Sequence, residues 1–184
     1  DKGNSQNKLM LRELLGINNI IGTSKNDILE GNSQDNKIYG RGGNDNFIGG
    51  RGNDQLIDGI TGCEGSGGDS TYTFSGNDGN DNIYDWGGTN DIIKIIDNPD
   101  NLARVSFYRK GNDLELGYNY DDSDYPKYNT IRIHDHFIAG RGIEHFKWGN
   151  GNHFDLTSLT SNMIDTQSQS YKLIDSTLVL ITNN

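Results

Sequence analysis

Carboxylate and amide side chains recur every nine residues in the first third of the chain. The residues in this series are Asp27, Asn36, Asp45 and Asp54. Each is followed two places later by a large apolar residue, and these are Leu29, Ile38, Phe47 and Leu56. Side-chain oxygens suit hard cations, whereas transition metals prefer imidazole or thiolate ligands. The spacing therefore indicates a series of cation sites held on a repeated structural element.

The nine-residue blocks predict one turn and one strand each. From Gly22 they read GTSKNDILE, GNSQDNKIY, GRGGNDNFI and GGRGNDQLI. The glycine-rich half supplies turns with positive φ or close backbone approach. The residues after each Asp or Asn alternate outward and inward as in a strand, so the apolar residue points into a narrow core.

Two blocks complete one coil, so residues 18 apart stack about 4.8 Å apart across the sheet. Asp27 then lies over Asp45, and Asn36 lies over Asp54. Carboxylates at that separation repel each other unless a cation lies between them. Calcium fits, because it accepts six to eight oxygens at about 2.3–2.6 Å, backbone carbonyls included, whereas magnesium demands a tighter octahedron.

The composition agrees with a cation-dependent fold. The 184 residues carry a formal net charge of −10, which excludes nucleic acid and anionic lipid as partners because both need a basic surface. Glycine contributes 25 residues and hydrophobic residues only 32% of the chain, so the core is expected to be thin. A thin core with excess acidic charge is poorly stable unless the carboxylates are neutralised. Cys63 is the only cysteine, which excludes an internal disulfide.

The blocks resemble the G-G-x-G-x-D-x-U-x repeat of the RTX (repeats-in-toxin) family, most closely in GGRGNDQLI. The resemblance implies an all-β fold, a parallel β-roll with calcium ions in its turns. The first implied ion is bound by Asp27 and Asp45 with the carbonyls of Thr23, Lys25, Gly40 and Gly42. The second is bound by Asn36 and Asp54 with the carbonyls of Asn32, Gln34, Gly49 and Arg51. Asn36 replaces an acid, so the second site is expected to be weaker.

The roll is expected to cover residues 22–97, with an irregular insert near residues 58–70. In the insert Cys63 stands where the next Asp belongs, and Asp69 lies one residue off register. The pattern returns in GNDGNDNIYDWGGTNDIIKI, where we expect Asp81 and Asp91 to bind further calcium. Asp69 is included among the expected ligands, with Asp78 and Asp85 as helpers.

Residues 98–159 are predicted to form an antiparallel, β-rich cap. Alternating segments occur at 103–108, 114–120, 129–137 and 143–148, separated by polar turns. Their order resembles the module that follows the repeats in RTX haemolysins and related exported proteins, where it covers the open end of the roll. The expected cap core is Phe107, Leu114, Leu116, Ile131, Ile133, Phe137, Ile143, Phe146 and Trp148, with Trp86 at the junction.

No arrangement of catalytic residues is found, so the chain is predicted not to be an enzyme. His134 and His136 could suggest a metal hydrolase, but alternate residues share a face of a strand, and no nucleophile is paired with a base. A tyrosine- and acid-rich hairpin at residues 118–128 could bind sugar or a partner, although a solvated loop is the commoner outcome.

Both ends are assigned from composition. Residues 1–21 are predicted to be an N-terminal cap with a short helix at Asn7–Gly16, and residues 160–184 are a tail. The tail resembles the signal of type I secretion substrates, although a closing strand at Thr177–Thr182 fits equally well. No apolar run reaches the length of about 18 residues needed for a transmembrane helix.

We therefore expect the C-terminal part of a secreted bacterial RTX toxin that folds on calcium after type I secretion. The alternative is the RTX module of an adhesin or of an exported enzyme. The expected partners are calcium and the secretion machinery, with a host cell surface or glycan as a further candidate.

Overall fold

Short strands on a nearly regular period make up the first half of the molecule. The computed structural model describes residues 7–10, 16–60, 66–96, 105–119, 128–149, 151–159, 169–174 and 177–182. The first nine strands have three to five residues each. They are β1 (Asn7–Met10), β2 (Asn19–Ile21), β3 (Asp27–Glu30), β4 (Lys37–Tyr39), β5 (Asn46–Ile48), β6 (Gln55–Ile57), β7 (Thr71–Phe74), β8 (Asn80–Tyr84) and β9 (Ile92–Ile95).

The remaining strands are longer on average and follow after residue 104. They are β10 (Val105–Lys110), β11 (Asp113–Asn119), β12 (Tyr128–Ile133), β13 (His145–Trp148), β14 (Asn152–Asp155), β15 (Gln169–Ile174) and β16 (Thr177–Thr182). A short 3-10 turn lies at Leu156–Ser158. Within the described ranges, no helix is long and apolar enough to cross a membrane.

Consecutive strands of the first half alternate between two sheets. A seven-stranded sheet has the order β1-β3-β5-β7-β9-β13-β14, and a nine-stranded sheet has the order β16-β15-β10-β11-β12-β8-β6-β4-β2. From β1 to β9, neighbours within each sheet are parallel, because the chain passes through the other sheet before it returns. The predicted all-β parallel β-roll is confirmed.

The register follows the 18-residue coil wherever the repeats are regular. Ile28 pairs with Asn46, and Lys37 pairs with Gln55. An inward residue of each strand therefore stacks on the equivalent residue of the next coil. In one sheet the stack runs Leu29, Phe47, Tyr72, Ile93, Phe146, and in the other it runs Ile20, Ile38, Leu56, Ile83, Ile133. All of these side chains are at most 4% exposed, so the two stacks form a narrow core that runs along the roll.

The predicted N-terminal helix is wrong where the structure describes it. Asn7–Met10 form strand β1, which pairs in parallel with β3 and sets Leu9 beside Leu29. The leucine-rich segment fits a helix locally, but pairing with the roll extends the apolar stack by one residue, and this tertiary contact overrides local propensity. Residues 11–15 lie outside the described residues.

The cap is antiparallel within itself and parallel where it joins the roll. Strands β10, β11 and β12 form an antiparallel meander, as expected. In addition β12 pairs in parallel with β8, and β13 pairs in parallel with β9, so the cap continues both sheets. The expected cap core is buried, with Phe137 only partly so. At the junction, the Arg141 guanidinium lies 4.3 Å from the centre of the Trp86 ring.

The last two strands extend the nine-stranded sheet beyond the cap. Strand β15 pairs antiparallel with β10, and β16 pairs antiparallel with β15 over the range predicted for a closing strand. Residue 63 and residues 120–127, which include most of the tyrosine-rich hairpin, lie outside the described residues.

Candidate metal centres in the turns

The turns before β3 and β5 lie one above the other and bring two acids together. Asp27 and Asp45 each begin or precede a strand, and they are 0% and 3% exposed. The Asp27 amide donates to Asp45 Oδ1 at 2.9 Å, which ties one coil to the next. Within its own turn, Asp27 Oδ2 accepts from the Thr23 amide at 2.6 Å and from its hydroxyl at 2.9 Å.

The opposite side of the roll repeats this arrangement. The Asn36 amide donates to Asp54 Oδ1 at 2.7 Å, and the Asp54 amide donates to Asp81 Oδ1 at 2.8 Å. The Asn36 side-chain oxygen accepts from the Asn32 amide at 2.8 Å, and its Nδ2 donates back to Asn32 Oδ1. Each acid therefore supplies one oxygen to a backbone amide of the preceding coil.

Among the residues that the structure describes, five buried acids keep one carboxylate oxygen without any hydrogen-bond partner. These oxygens are Asp27 Oδ1, Asp45 Oδ2, Asp54 Oδ2, Asp81 Oδ2 and Asp91 Oδ2. An unsatisfied buried acceptor costs about 1–3 kcal/mol, and more when it is charged, so a series of them calls for a bound partner. A cation in the turns would supply that partner at every coil.

Carbonyl oxygens lie beside the side-chain oxygens of these turns. A Cβ added at Gly22 would lie 2.7 Å from the Gly40 carbonyl oxygen and 2.9 Å from Asp27 Oδ2. A Cβ at Gly31 would meet the Gly49 carbonyl oxygen and Asn36 Oδ1. Only glycine leaves this space open, and carboxylate and carbonyl oxygens together form the ligand set that calcium takes.

The other predicted carbonyl donors lie in these same stacked turns. The Lys25 carbonyl oxygen faces Gly43, and the Asn32 and Gln34 carbonyl oxygens face Gly50 and Gly52. The Thr23 carbonyl accepts from the Gly42 amide at 3.3 Å. Arg51 is exposed between Gly50 and Gly52. The structure thus stacks the turns of both implied sites on each other, and the carboxylate and carbonyl oxygens present there fit calcium.

Burial makes the ionised acids unfavourable when no cation is bound. Desolvation raises the pKa of Asp45 and of Asp54 to about 7, and neighbouring carboxylates add to both shifts. Desolvation raises the pKa of Asp81 to about 9, and Asp54 is the first of the nearby carboxylates that add to it. A positive ion beside these acids would therefore strongly favour their ionised form.

The insert changes which residue continues the first column of acids. Ser70, and not Asp69, occupies the place above Asp45, because β7 begins at Thr71 and pairs with Asn46. The Asp45 amide accordingly donates to Ser70 Oγ, and the Ser70 amide donates to Asp91 Oδ1. The prediction of Asp69 as a ligand is corrected: its side chain is exposed and accepts from the Thr89 amide at 2.9 Å.

Asp81 and Asp91 continue the two columns, and the helpers Asp78 and Asp85 lie beside them, each with hydrogen-bond donors of its own. Asp78 accepts from the Ser75 amide and hydroxyl, both at 2.6 Å. Asp85 accepts from the Tyr72 hydroxyl at 2.8 Å. Both acids are buried, so their places are set by local partners.

Two acids in the columns were not predicted as ligands. Glu144 Oε2 accepts from the Asp91 amide at 2.8 Å and so ends the first column within the cap. Glu144 stands two places before the buried Phe146, which is the spacing of the repeats and could have identified it. Asp58 accepts from Ser70 Oγ at 2.9 Å. Asp58 and Asp85 each follow directly after a strand of the same sheet. This common position is the sequence signal that could have identified them as candidate ligands.

The histidines do not gather into a metal site among the described residues. Strand β12 ends at Ile133, so His134 and His136 lie in the following turn and not along a strand face as expected. His134 stacks on Tyr84 with ring centres 4.1 Å apart. His145 and His153 contact each other at 3.0 Å on neighbouring strands.

Comparison with known families agrees with the geometry. Residues 21–56 match the RTX calcium-binding nonapeptide repeat, in four copies. No curated protein matches the chain. The matched segment contains the turns of both implied sites, so this chain carries RTX calcium-binding repeats that bind several calcium ions.

Proposed function

We propose that this chain is a calcium-dependent folding module from the C-terminal part of a secreted bacterial RTX toxin. One observation carries the folding part of the proposal. Along both sides of the roll, buried acids hold carboxylate oxygens that no group in the described part of the chain satisfies. These oxygens make the folded roll unfavourable until cations occupy the turns and bind them.

The balance between the unfolded and the folded chain follows from linkage. Without calcium, repulsion and chain entropy oppose the folding of a chain that has a net charge of −10 and a narrow core. Each independent site stabilises the folded state by RT ln(1 + [L]/Kd), about 2.7 kcal/mol at a hundredfold excess of calcium over Kd. Because several sites lie on one stack of coils, calcium binding makes the folding of the roll a cooperative transition.

Such a transition suits an exported protein. Calcium is scarce inside a bacterial cell, so the chain stays unfolded and can pass through a type I secretion channel. Calcium outside the cell then folds it. The toxin assignment is supported by the sequence order VSFYRKGNDLEL, TIRIHDHF and IEHFKWGNGNHFDLTSL, which resembles the module after the repeats in RTX haemolysins.

Far-ultraviolet circular dichroism during a calcium titration tests the proposal. We expect a cooperative change from coil to β-structure between chelator and about 10 mM calcium, a range set by the affinity of extracellular calcium modules. Magnesium, which prefers an octahedral site, serves as the control and should not fold the chain. A chain already folded in chelator would contradict calcium-dependent folding.

A further inference from the structure

Three buried carboxylates meet outside the stacked pairs of the repeats. Asp58 follows β6, Asp85 follows β8, and Asp91 precedes β9. One oxygen from each lies within 4.8 Å of the others. Their side chains are 0%, 2% and 0% exposed, so water does not solvate their charges.

The hydrogen bonds around this cluster leave negative charge unbalanced. Asp58 accepts from Ser70 Oγ at 2.9 Å and from the Gly59 amide at 2.8 Å. Asp85 accepts from the Tyr72 hydroxyl at 2.8 Å. All of these donors are neutral. In the part of the chain that the structure describes, none of the three acids forms an ion pair with a lysine or an arginine.

A separate observation points to a missing ligand. Asp91 is fully buried, its Oδ1 accepts from the Ser70 amide at 2.6 Å, and its Oδ2 has no partner. A second oxygen without a partner lies next to Asp58: a Cβ at Gly40 would meet Asp45 Oδ2 and lie 3.0 Å from Asp58 Oδ1. Ser70 is uncharged, so the negative charge at this coil comes from Asp58, which follows a strand of the other sheet.

We propose that Asp58, Asp85 and Asp91 bind one further calcium ion, which joins the two sheets at the insert that interrupts the repeats. The proposal rests on the calcium-binding function proposed above. Three carboxylates suit calcium because it is a hard cation that takes oxygen ligands, whereas the cluster offers no nitrogen or sulfur for a transition metal. Unlike the repeat sites, this site is built mainly from side chains.

Counting bound ions in matched variants tests this site. Calcium bound per chain is measured by equilibrium dialysis at saturating calcium for the full chain, Asp58→Asn, Asp85→Asn and the double variant. We expect each single variant and the double variant to lose the same one ion. Asp69→Asn is the control, since it removes one acid from the same insert at an exposed position, and it should lose none.

The outcomes separate this site from the repeats. Full binding by both single variants, or loss of two ions in the double variant, would overturn the shared site while leaving the repeat sites intact. If the unmodified chain bound no calcium, the proposed function itself would fail. Should a variant not fold, anomalous diffraction from terbium-loaded unmodified protein decides. A terbium peak in contact with all three acids supports the site, and peaks at the repeat turns alone overturn it.

Discussion

At the scale of single residues, an acid in the turn has two separate tasks. Asp45 Oδ1 accepts from the Asp27 amide, and Asp45 Oδ2 is left for an ion. Asn36 has only one side-chain oxygen, and the Asn32 amide already donates to it. An asparagine at this place therefore keeps the turn closed but adds no charge to the site.

Replacing each of these residues by alanine separates the two tasks. Asp45→Ala and Asn36→Ala each leave one backbone amide without its acceptor, so their costs to the protein alone are comparable, about 1–3 kcal/mol. Asp45→Ala also removes a charged ligand. We expect it to raise the calcium midpoint of folding about tenfold, equivalent to about 1.4 kcal/mol, with a clearly smaller rise for Asn36→Ala. Titrations followed by circular dichroism measure both, and equal midpoints would contradict the assigned register.

At the scale of elements, each strand is stabilised by the strand above and the strand below. Phe146 on β13 covers Ile93 on β9 and lies edge-on to Phe107 with ring centres 6.0 Å apart. The cap therefore closes the apolar stack with an aromatic side chain that belongs both to the roll and to the meander.

Truncating that residue should weaken the cap and the roll together. Phe146→Ala leaves a buried cavity, and such changes cost about 3–5 kcal/mol. We expect a loss of this size in the free energy of unfolding, measured with denaturant in saturating calcium. Lys147→Ala on the same strand faces outward and is the control, with an expected change within about 0.5 kcal/mol. Similar losses in both variants would mean that Phe146 does not close the stack.

The repeats could be predicted from sequence because every coil there has the same length. Ile28 and Asn46, one coil apart, differ by 18 positions, so local spacing alone gives the neighbours in space. Across the insert, Asp45 is followed by Ser70 in its column, 25 positions later, and the period no longer identifies the partner. The carboxylate of Asp69 predicts a ligand at this point, although the strand register selects Ser70.

The remaining differences arise from contacts distant in sequence. Glu144 reaches the first column 53 positions after Asp91, and Asp58 and Asp85 meet because β6 pairs with β8. Strand β1 likewise depends on its pairing with β3 and not on its own propensity. Pairings of this kind are decided by the whole fold, so residue spacing could not reveal them.

At the scale of the whole molecule, the buried acids couple stability to pH when calcium is absent, and bound calcium removes this coupling. The pKa of Asp45, Asp54 and Asp81 rises from 3.8 to about 7, 7 and 9 in the cation-free fold. At pH values between the ordinary and the raised pKa, the folded chain binds more protons than the unfolded chain. The free energy of unfolding therefore falls as pH rises through this range. Calcium binds the ionised acids, so protons compete with it and its stabilising effect grows as pH rises.

Thermal unfolding at pH 5 and pH 8 tests this coupling. In calcium-depleted buffer we expect any residual folded state to unfold at a lower temperature at pH 8. In saturating calcium the bound acids stay ionised at both pH values, so we expect little change in the midpoint, and the difference that calcium makes is largest at pH 8. A calcium effect independent of pH would indicate that these acids are not its ligands.

The stacking of coils also determines how the molecule would respond to a pulling force. A force applied at one end of the regular roll acts on one coil at a time, because each coil is hydrogen-bonded only to its immediate neighbours. Each detached coil of 18 residues releases about 60 Å of extended chain, at roughly 3.3–3.6 Å per residue. The roll would then unfold in a series of similar steps, each at a similar small force. A longer roll would take more time to unfold but would not need a larger force.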